Sequence, residues 1–374
     1  MSKFDEIRSF YDHEVNEALQ NIARHPMMKA LMQFTFSDSD EDFWLDKFKS
    51  IHSISDFQHQ CISQTIRQIL KQSSEGLTTS GFENLDKNTA YLFVSNHRDI
   101  VLDTSLLNLV LLDKGLIMTA SAIGDNLVQK NFLHVLAKLN RNFLVQRGLS
   151  IREQLNSSKI MSEYINDLLH KENRSVWIAQ REGRTKDGND ATQQGVLKML
   201  AMASENHSLI DFFKSLKIVP LSISYEYDPT DALKMPQVMA KSKNEVYIKD
   251  ENEDFKTILS GVLGQKKRIH LHAGKVLEDE LDEVASTTDN KNKQLQAIAQ
   301  IIDDSIIENY KLWPTNYIAF DLLNKSNQYS EFYTEEEKQL FERRLEMRID
   351  SSEPVLKESF LAMYANPVVN KHKK

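Results

Sequence analysis

The chain has 374 residues and a formal net charge of -8, from 46 Lys and Arg against 54 Asp and Glu. A chain of this length is expected to form a main domain with helical appendages. Charged residues make up 27% and hydrophobic residues 41%, the balance of an ordinary globular protein. An acidic chain without a long basic run does not suit a phosphate backbone, so nucleic acid is excluded as the main partner.

The cysteine content and the apolar segments indicate a compartment. Cys61 is the single cysteine, so no internal disulfide can form, and a reducing cytoplasm is expected. The first residues lack the apolar core of a signal peptide. The longest apolar stretch, residues 106–118, is interrupted by Asn108, Asp113 and Lys114. Because a membrane-spanning helix needs roughly 20 predominantly apolar residues, we predict no transmembrane segment.

Residues 1–78 are predicted to form a helical N-terminal region. Apolar side chains recur there at helical spacing, and Gly and Pro are nearly absent before residue 75. The clearest example is the series Phe57, Cys61, Ile62, Ile66 and Ile69. This spacing places Cys61 in a helical core and argues against a nucleophilic role for its thiol.

Residues 79–290 are predicted to form an α/β domain. Short apolar runs alternate there with polar helical stretches, which is typical of buried strands in a largely parallel central sheet flanked by helices. The predicted strands are Tyr91–Ser95, Leu116–Ile123, Asn142–Gln146, Ser175–Ala179, Ile218–Tyr225 and Arg268–Leu271. Residues 291–374 are predicted to be helical again, with a long helix over about 291–311 and a second helix after Trp313-Pro314.

The segment Ser95–Asp103 follows the first predicted strand and opens a helix. Active sites in α/β sheets gather at the carboxyl ends of strands. His97 at such a position could remove a proton from an alcohol near neutral pH, and a nearby carboxylate could orient its ring. The alternative is a turn rich in capping residues, with Asp99 as the helix N-cap. The segment alone does not decide between these interpretations.

The segment Gln180–Gly188 follows the predicted strand that ends at Ala179. Arg181, Arg184 and Lys186 lie there within six residues, together with two glycines. Arginine matches phosphate geometry and glycine permits close backbone approach, so the segment could bind a phosphate. By itself, a solvated surface loop is the simpler interpretation.

Two further segments are informative only in combination with the first two. Residues 142–148 form a predicted strand followed by Arg147, and residues 218–227 form an apolar run that contains Pro220. Taken alone, Arg147 is a surface arginine, and the proline suggests a strand start or bulge. In order along the chain, the four segments combine a strand-end histidine, a strand-end arginine, a Glu-Gly-Arg loop and an apolar strand with proline.

This order over residues 85–230 resembles the four sequence blocks of the glycerolipid acyltransferase superfamily. The stretch that begins at Ala122-Ile123-Gly124-Asp125 and the ending Ser224-Tyr225-Glu226-Tyr227 are most similar to its glycerol-3-phosphate and dihydroxyacetone-phosphate branch. The resemblance implies that His97 is the general base for the acceptor hydroxyl. It further implies that Arg147, Arg184 and Lys186 hold the acceptor phosphate. Substrate-binding positions would also include Arg98, Glu182, Gly183 and, on the acyl-donor side, Pro220.

The sequence departs from the family pattern in two spacings. The first block normally has four residues between His and Asp, but position 102 is Leu here, and the nearest acids are Asp99 and Asp103. We expect Asp103 to orient His97, with Asp99 as the second choice. One extra residue would rotate a helix by about 100°, so a bulge or a shifted helix start must compensate. The third block is one residue shorter than usual, because Arg184 follows Glu182-Gly183 directly.

The implied reaction is transfer of a fatty acyl group from acyl-CoA or acyl carrier protein to glycerol-3-phosphate or 1-acylglycerol-3-phosphate, in phospholipid biosynthesis. No cofactor or metal is expected, since His97 and Asp103 lack further ligands at suitable spacing. His270 and His272 share a strand face but are two groups only. With a lipid substrate, a cytoplasmic protein would contact the membrane surface peripherally.

Two alternatives stay open. The acceptor could be another lipid, such as a hydroxylated amino-acid lipid. The altered spacings could instead mark a non-catalytic module on the same fold that binds a lipid or an acyl carrier.

Overall fold

A seven-stranded sheet forms the centre of the protein in the computed structural model, which describes residues 2–205, 207–250 and 252–373. The strands are β1 (Ser74–Ser80), β2 (Leu92–Ser95), β3 (Thr119–Gly124), β4 (Asn142–Val145), β5 (Ser175–Ala179), β6 (Ile218–Tyr225) and β7 (Lys267–Ala273). Their order across the sheet is β1-β7-β6-β2-β5-β3-β4. Five strands, β2 to β6, run parallel to one another, and β7 pairs antiparallel with β6.

The predicted α/β class is therefore confirmed, and each of the six predicted strands is present. Strand β1 was not predicted. Residues 74–78 were predicted to belong to the helical N-terminal region, but they lie in a strand that pairs parallel with β7. Its sequence, SEGLTTS, is polar because β1 is an edge strand with exposed positions, so it lacks the continuous apolar pattern of a buried strand. Pairing with a distant segment makes it a strand.

Helices cover both faces of the sheet and extend beyond it. The N-terminal and central helices are α1 (Asp12–Ile22), α2 (Pro26–Thr35), α3 (Glu41–Ser50), α4 (Ile54–Phe57), α5 (Ser63–Ser73), α6 (Leu102–Lys114), α7 (Asn131–Leu139), α8 (Ile151–His170), α9 (Gln194–Leu200) and α10 (Leu209–Ser215). Those after the sixth strand are α11 (Asp231–Ser242), α12 (Glu253–Leu263), α13 (Asp279–Thr287), α14 (Lys291–Glu308), α15 (Pro314–Asn324), α16 (Glu335–Arg348) and α17 (Pro354–His372). A π-helical turn, Gln58–Ile62, joins α4 to α5.

Four apolar clusters account for the packing. One lies between the sheet and α8, α9, α10, α13 and α14, and a second lies on the opposite face under α5 and α6. The N-terminal helices form a third cluster with α7, and α15 to α17 form a fourth with Met235 of α11. Among the described residues, no helix is both long enough and apolar enough to cross a bilayer.

A buried carboxylate ties the C-terminal helices to the sheet domain. Asp231, at the start of α11, accepts hydrogen bonds from Arg344 (2.6 and 3.0 Å) and Arg348 (2.7 Å) of α16. The hydroxyl of Tyr364 in α17 donates to the same carboxylate at 2.8 Å. Since Asp231 is fully buried, its charge is stable there only because these donors surround it.

We expect Asp231→Ala to lower the free energy of unfolding by roughly 3 kcal/mol, because it leaves two arginines without their buried partner. Urea unfolding followed by circular dichroism measures the change. Asp46→Ala is the control: it removes a surface ion pair with Lys49, which contributes about 0–1 kcal/mol. Equal effects of the two substitutions would contradict the anchoring role of Asp231.

Candidate active site

The histidine motif begins where β2 ends, in the middle of the sheet. Beyond the end of β2, the side chain of Asn96 makes the hydrogen bonds to β6 that a strand backbone would make. Its amide donates to the carbonyl of Ile223 at 2.9 Å, and its oxygen accepts from the N–H of Ile223 at 2.8 Å. Beside it, the Trp177 indole donates to the hydroxyl of Ser95 at 2.9 Å and packs edge-on against the His97 ring. These contacts fix the backbone that carries His97.

The His97 ring is oriented by Asp103, as expected from the sequence. The distance from Nδ1 of His97 to the Asp103 carboxylate is 2.8 Å. The same carboxylate accepts from the N–H groups of Arg98 (2.6 Å) and Asp99 (3.0 Å) and from the Tyr225 hydroxyl (3.0 Å). An ionised carboxylate only accepts, so Nδ1 carries the ring proton and Nε2 carries the lone pair. This is the arrangement of a general base.

The extra residue in the motif is absorbed before the helix. Residues 96–101 form a turn, and α6 starts only at Leu102, so Asp103 lies in its first turn. Asp99 does not orient His97; its carboxylate accepts from the N–H groups of Val101 (2.9 Å) and Leu102 (2.8 Å). Asp99 is not the N-cap of α6 either, since that position is Val101; its carboxylate instead holds the turn that leads into the helix. Burial and the neighbouring Asp103 raise the pKa of Asp99 above its ordinary value.

Residues 180–190, which we call the Glu-Gly-Arg loop, enclose the backbone of the histidine. The N–H of Thr185 donates to the carbonyl of His97 at 3.0 Å, and the N–H of His97 donates to the Asp190 carboxylate at 3.2 Å. Gly183 has a φ of 71°, which favours glycine at this tight turn. The backbone of the histidine is thus bonded to the middle of the loop and to its last residue.

Lys186 and the cations that act on it, Arg181, Arg184, Lys234 and Lys249, form what we call the cation group. Lys186 donates to the carbonyl of Arg184 at 3.0 Å. Burial, followed by the charges of Arg184, Lys234, Lys249 and Arg181, lowers the pKa of Lys186 to about 7. Arg184 itself is half-buried, with one hydrogen bond to a threonine hydroxyl. A half-buried concentration of positive charge of this kind favours an anion with several acceptor oxygens.

Arg98 lies behind the site rather than in it. Only 4% of its surface is exposed, and its guanidinium faces Asp228 at 3.8 Å. Lys234 forms an ion pair with the same Asp228 and donates to the carbonyl of Arg98 at 3.2 Å. Burial opposes the charge of Asp228, but Lys234 and Arg98 hold its pKa below the ordinary value. The expected substrate contact of Arg98 is therefore replaced by a buried ionic network.

Three other predicted residues lie at different places, two of them at the surface and one inside the sheet. Arg147, after β4, forms a 2.6 Å ion pair with Glu182 of the Glu-Gly-Arg loop, and both side chains are exposed. The structure thus brings Arg147 to the loop but pairs it with a carboxylate. Pro220 is buried in the middle of β6 opposite Val94, and its carbonyl accepts from Gly274 at the end of β7. It is neither a strand start nor exposed to a ligand.

An apolar cavity of about 490 Å³ begins beside the first turns of α6. Its walls come from α2, α5, α7 and α12, with Val101 and Ser105 on the side of the histidine motif. Helix α12 packs directly on that motif: a Cβ at Gly261 would lie 2.1 Å from a carboxylate oxygen of Asp99. Such a volume, with an almost wholly apolar lining, suits a long hydrocarbon group.

The remaining candidates have structural surroundings. Cys61 is buried, and burial raises the pKa of its thiol to about 12, which makes it a poor nucleophile. His270 and His272 both contact the Ser80 hydroxyl of β1, at 3.0 and 2.8 Å. Within the described part of the chain, no three His, Cys, Asp or Glu side chains are grouped to hold a metal ion.

Several residues of the site could not be predicted from the sequence. Trp177 and Tyr225 lie within predicted strands, and their apolar neighbours made them look like core. Asp190 and Lys234 lie outside the motifs, and only folding brings them to His97 and to the cation group. A weak signal existed for Tyr225, because it belongs to the fourth block.

Two comparisons with known proteins give matches. Residues 76–224 match the family model described as Acyltransferase. Among solved structures, the fold is similar to that of the 1-acyl-sn-glycerophosphate (LPA) acyltransferase from Thermotoga maritima, with a TM-score of 0.40 and 11% sequence identity. That similarity covers 79% of this chain and 93% of the other. No curated protein gives a significant match.

The depressed pKa of Lys186 predicts a pH dependence of stability. The folded protein releases this proton at a pH of about 7, whereas an unfolded chain keeps it up to about 10.5. The unfolded state therefore binds more protons across this window, and the free energy of unfolding rises with pH there. We expect urea midpoints between pH 6 and pH 10 to show a smaller rise in Lys186→Met than in the wild type.

Lys198→Met is the matched control, because Lys198 is an exposed lysine on α9. Its midpoints should follow the wild type at every pH. If the urea midpoints of Lys186→Met rise with pH as much as those of the wild type and of Lys198→Met, Lys186 is not a buried charge in the folded protein.

Proposed function

We propose that the chain transfers a fatty acyl group from a thioester carrier to a glycerol-phosphate hydroxyl, a proposal supported by the match of residues 76–224 to the Acyltransferase family model. The donor is acyl-CoA or acyl carrier protein, and the acceptor is glycerol-3-phosphate or 1-acylglycerol-3-phosphate. The observation that carries the proposal is the His97–Asp103 hydrogen bond, with the cation group of the Glu-Gly-Arg loop joined to the same histidine.

The chemistry follows from the free nitrogen of His97. Nε2 takes the proton of the acceptor hydroxyl while that oxygen attacks the thioester carbonyl carbon. The tetrahedral oxyanion collapses, the carbon–sulfur bond breaks, and the imidazolium returns its proton to the thiolate. Asp103 keeps the ring in the required tautomer and stabilises the imidazolium, because its carboxylate is fixed by three further donors.

The acceptor phosphate is bound by Arg184 and Lys186. A phosphate has the charge and the acceptor oxygens that this half-buried cation group requires, and it would keep Lys186 protonated at neutral pH. The 3.0 Å bond between Thr185 and the His97 carbonyl fixes the distance between phosphate site and base. Binding at one end therefore positions the hydroxyl at the other. Arg147 assists only if it exchanges Glu182 for the phosphate.

The acyl chain of the donor occupies the apolar cavity beside α6. Supporting this, the cavity is lined almost wholly by apolar side chains and reaches the motif through Val101 and Ser105. The part of its wall formed by α12 is also partly exposed to solvent: Leu259 is 42% and Leu263 is 61% exposed. Two more apolar side chains, Val246 and Ile248, are exposed in the segment before α12. We propose that this side contacts the membrane surface peripherally.

We expect His97→Ala to reduce kcat for acyl transfer by about 100-fold or more, because a positioned general base contributes roughly 10²–10⁴-fold. The assay follows labelled glycerol-3-phosphate and lysophosphatidate by thin-layer chromatography, with acyl-CoA and acyl carrier protein as donors. His52→Ala, which changes an exposed histidine, should retain the wild-type rate.

Wild-type rates in His97→Ala would disprove the catalytic role. A wild-type protein that is inactive on both acceptors but transfers to a hydroxylated amino-acid lipid would change the substrate class. One that transfers nothing and binds acyl carrier protein would favour the non-catalytic module.

The proposed membrane contact predicts that Leu263→Lys weakens binding to phospholipid vesicles, since it places a charge among the exposed apolar side chains of α12. Co-sedimentation with vesicles of mixed zwitterionic and anionic lipids measures the bound fraction. Leu340→Lys is the control, because Leu340 of α16 is 42% exposed and lies outside the cavity wall. Equal binding by the two variants would contradict this orientation.

A further inference from the structure

The C-terminal helix α17 contacts the middle of the Glu-Gly-Arg loop. Gly188 of the loop has a φ of 74°, and a Cβ at this position would lie 2.3 Å from the carbonyl oxygen of Met363. That carbonyl has no intrahelical partner at the usual position, because residue 367 is proline and lacks an N–H. The loop backbone thus approaches α17 at a carbonyl that lacks its usual donor four residues on, and only glycine fits there.

Side chains of α17 hold the residues on either side of this glycine. The amide of Asn366 donates to the carbonyl of Asp187 at 2.6 Å, and the amide of Asn370 donates to the Asn189 side chain at 3.2 Å. The contacting positions on the helix are 363, 366, 367 and 370. This spacing of three and four residues places them all on one face of α17. One helix face therefore contacts three consecutive loop residues.

Residues 187–189, which α17 contacts, lie between two residues that the proposed chemistry uses. Lys186 immediately precedes it, and Asp190, which accepts from the His97 N–H, immediately follows it. The same helix is also fixed to the other side of the cation group. The hydroxyl of Tyr364 accepts from the N–H of Asp228, the carboxylate that pairs with Lys234.

We propose that α17 is a positioning element for the phosphate site, with Asn366 as its main positioning residue. This proposal rests on the proposed binding of phosphate by Arg184 and Lys186. Asn366 does not touch the anion; it acts by holding the Asp187 carbonyl, which restricts the backbone from which Lys186 projects. Helix α17 lies outside residues 76–224, so the phosphate site of this chain depends on a part that the family match does not include.

Asn366→Ala tests the proposal. Losing one positioning hydrogen bond should weaken binding of inorganic phosphate on the order of fivefold, measured by isothermal titration calorimetry. The KM for the phosphate acceptor should rise by a similar factor, whereas kcat and the KM for the acyl donor stay unchanged. Asn324→Ala is the matched control: it removes an exposed amide-to-carbonyl bond in α15 and should change none of these values.

A double-mutant cycle separates positioning from general stability. If Asn366 acts through Lys186, Asn366→Ala should have no further effect on phosphate binding in the Lys186→Met background. An effect of full size in that background overturns the proposal, as does unchanged phosphate binding in Asn366→Ala or a wild type that binds no phosphate. If phosphate binding responds as expected but the wild type transfers no acyl group, the positioning role stands and the proposed function fails.

Discussion

The buried carboxylate of Asp103 is the interaction on which the site depends. It collects the His97 ring, two backbone N–H groups and the Tyr225 hydroxyl, so it joins the turn after β2, the first turn of α6 and the end of β6. A fully buried charge is stable only when donors surround it, and here these donors also define the geometry of the base. Its place in the first turn of α6 adds the favourable end of the helix dipole.

Charge is distributed around this centre in two layers. The inner layer, Arg98, Asp228 and Lys234, is buried and internally paired. The outer layer, Arg184 and Lys186, is only half-buried and has no carboxylate bonded to either cation among the described residues. The inner layer therefore supports the backbone, whereas the outer layer has the charge that the proposed binding of an acceptor phosphate requires. This division explains why basic residues that lie close together around one site have different surroundings.

Parts outside the family match complete the site. Helices α2, α5 and α12 supply much of the apolar cavity wall, and α17 holds the Glu-Gly-Arg loop. These helices are attached to the sheet domain by their own buried groups, of which Asp231 with Arg344 and Arg348 is the clearest. The helical extensions thus contact the histidine motif and the Glu-Gly-Arg loop directly.

The sequence by itself determined the α/β class and six of the seven strands, and it limited the partner of His97 to Asp103 or Asp99, because apolar runs and local motifs are local properties of the chain. The structure decided for Asp103. It did not determine β1, whose polar edge sequence becomes a strand only beside β7. Nor could it separate Arg98 from Arg184, or foresee the contacts of Asn366 and Tyr225. Burial and partners decide whether a polar residue is structural or available to a ligand, and both arise only when segments far apart in the chain pack together.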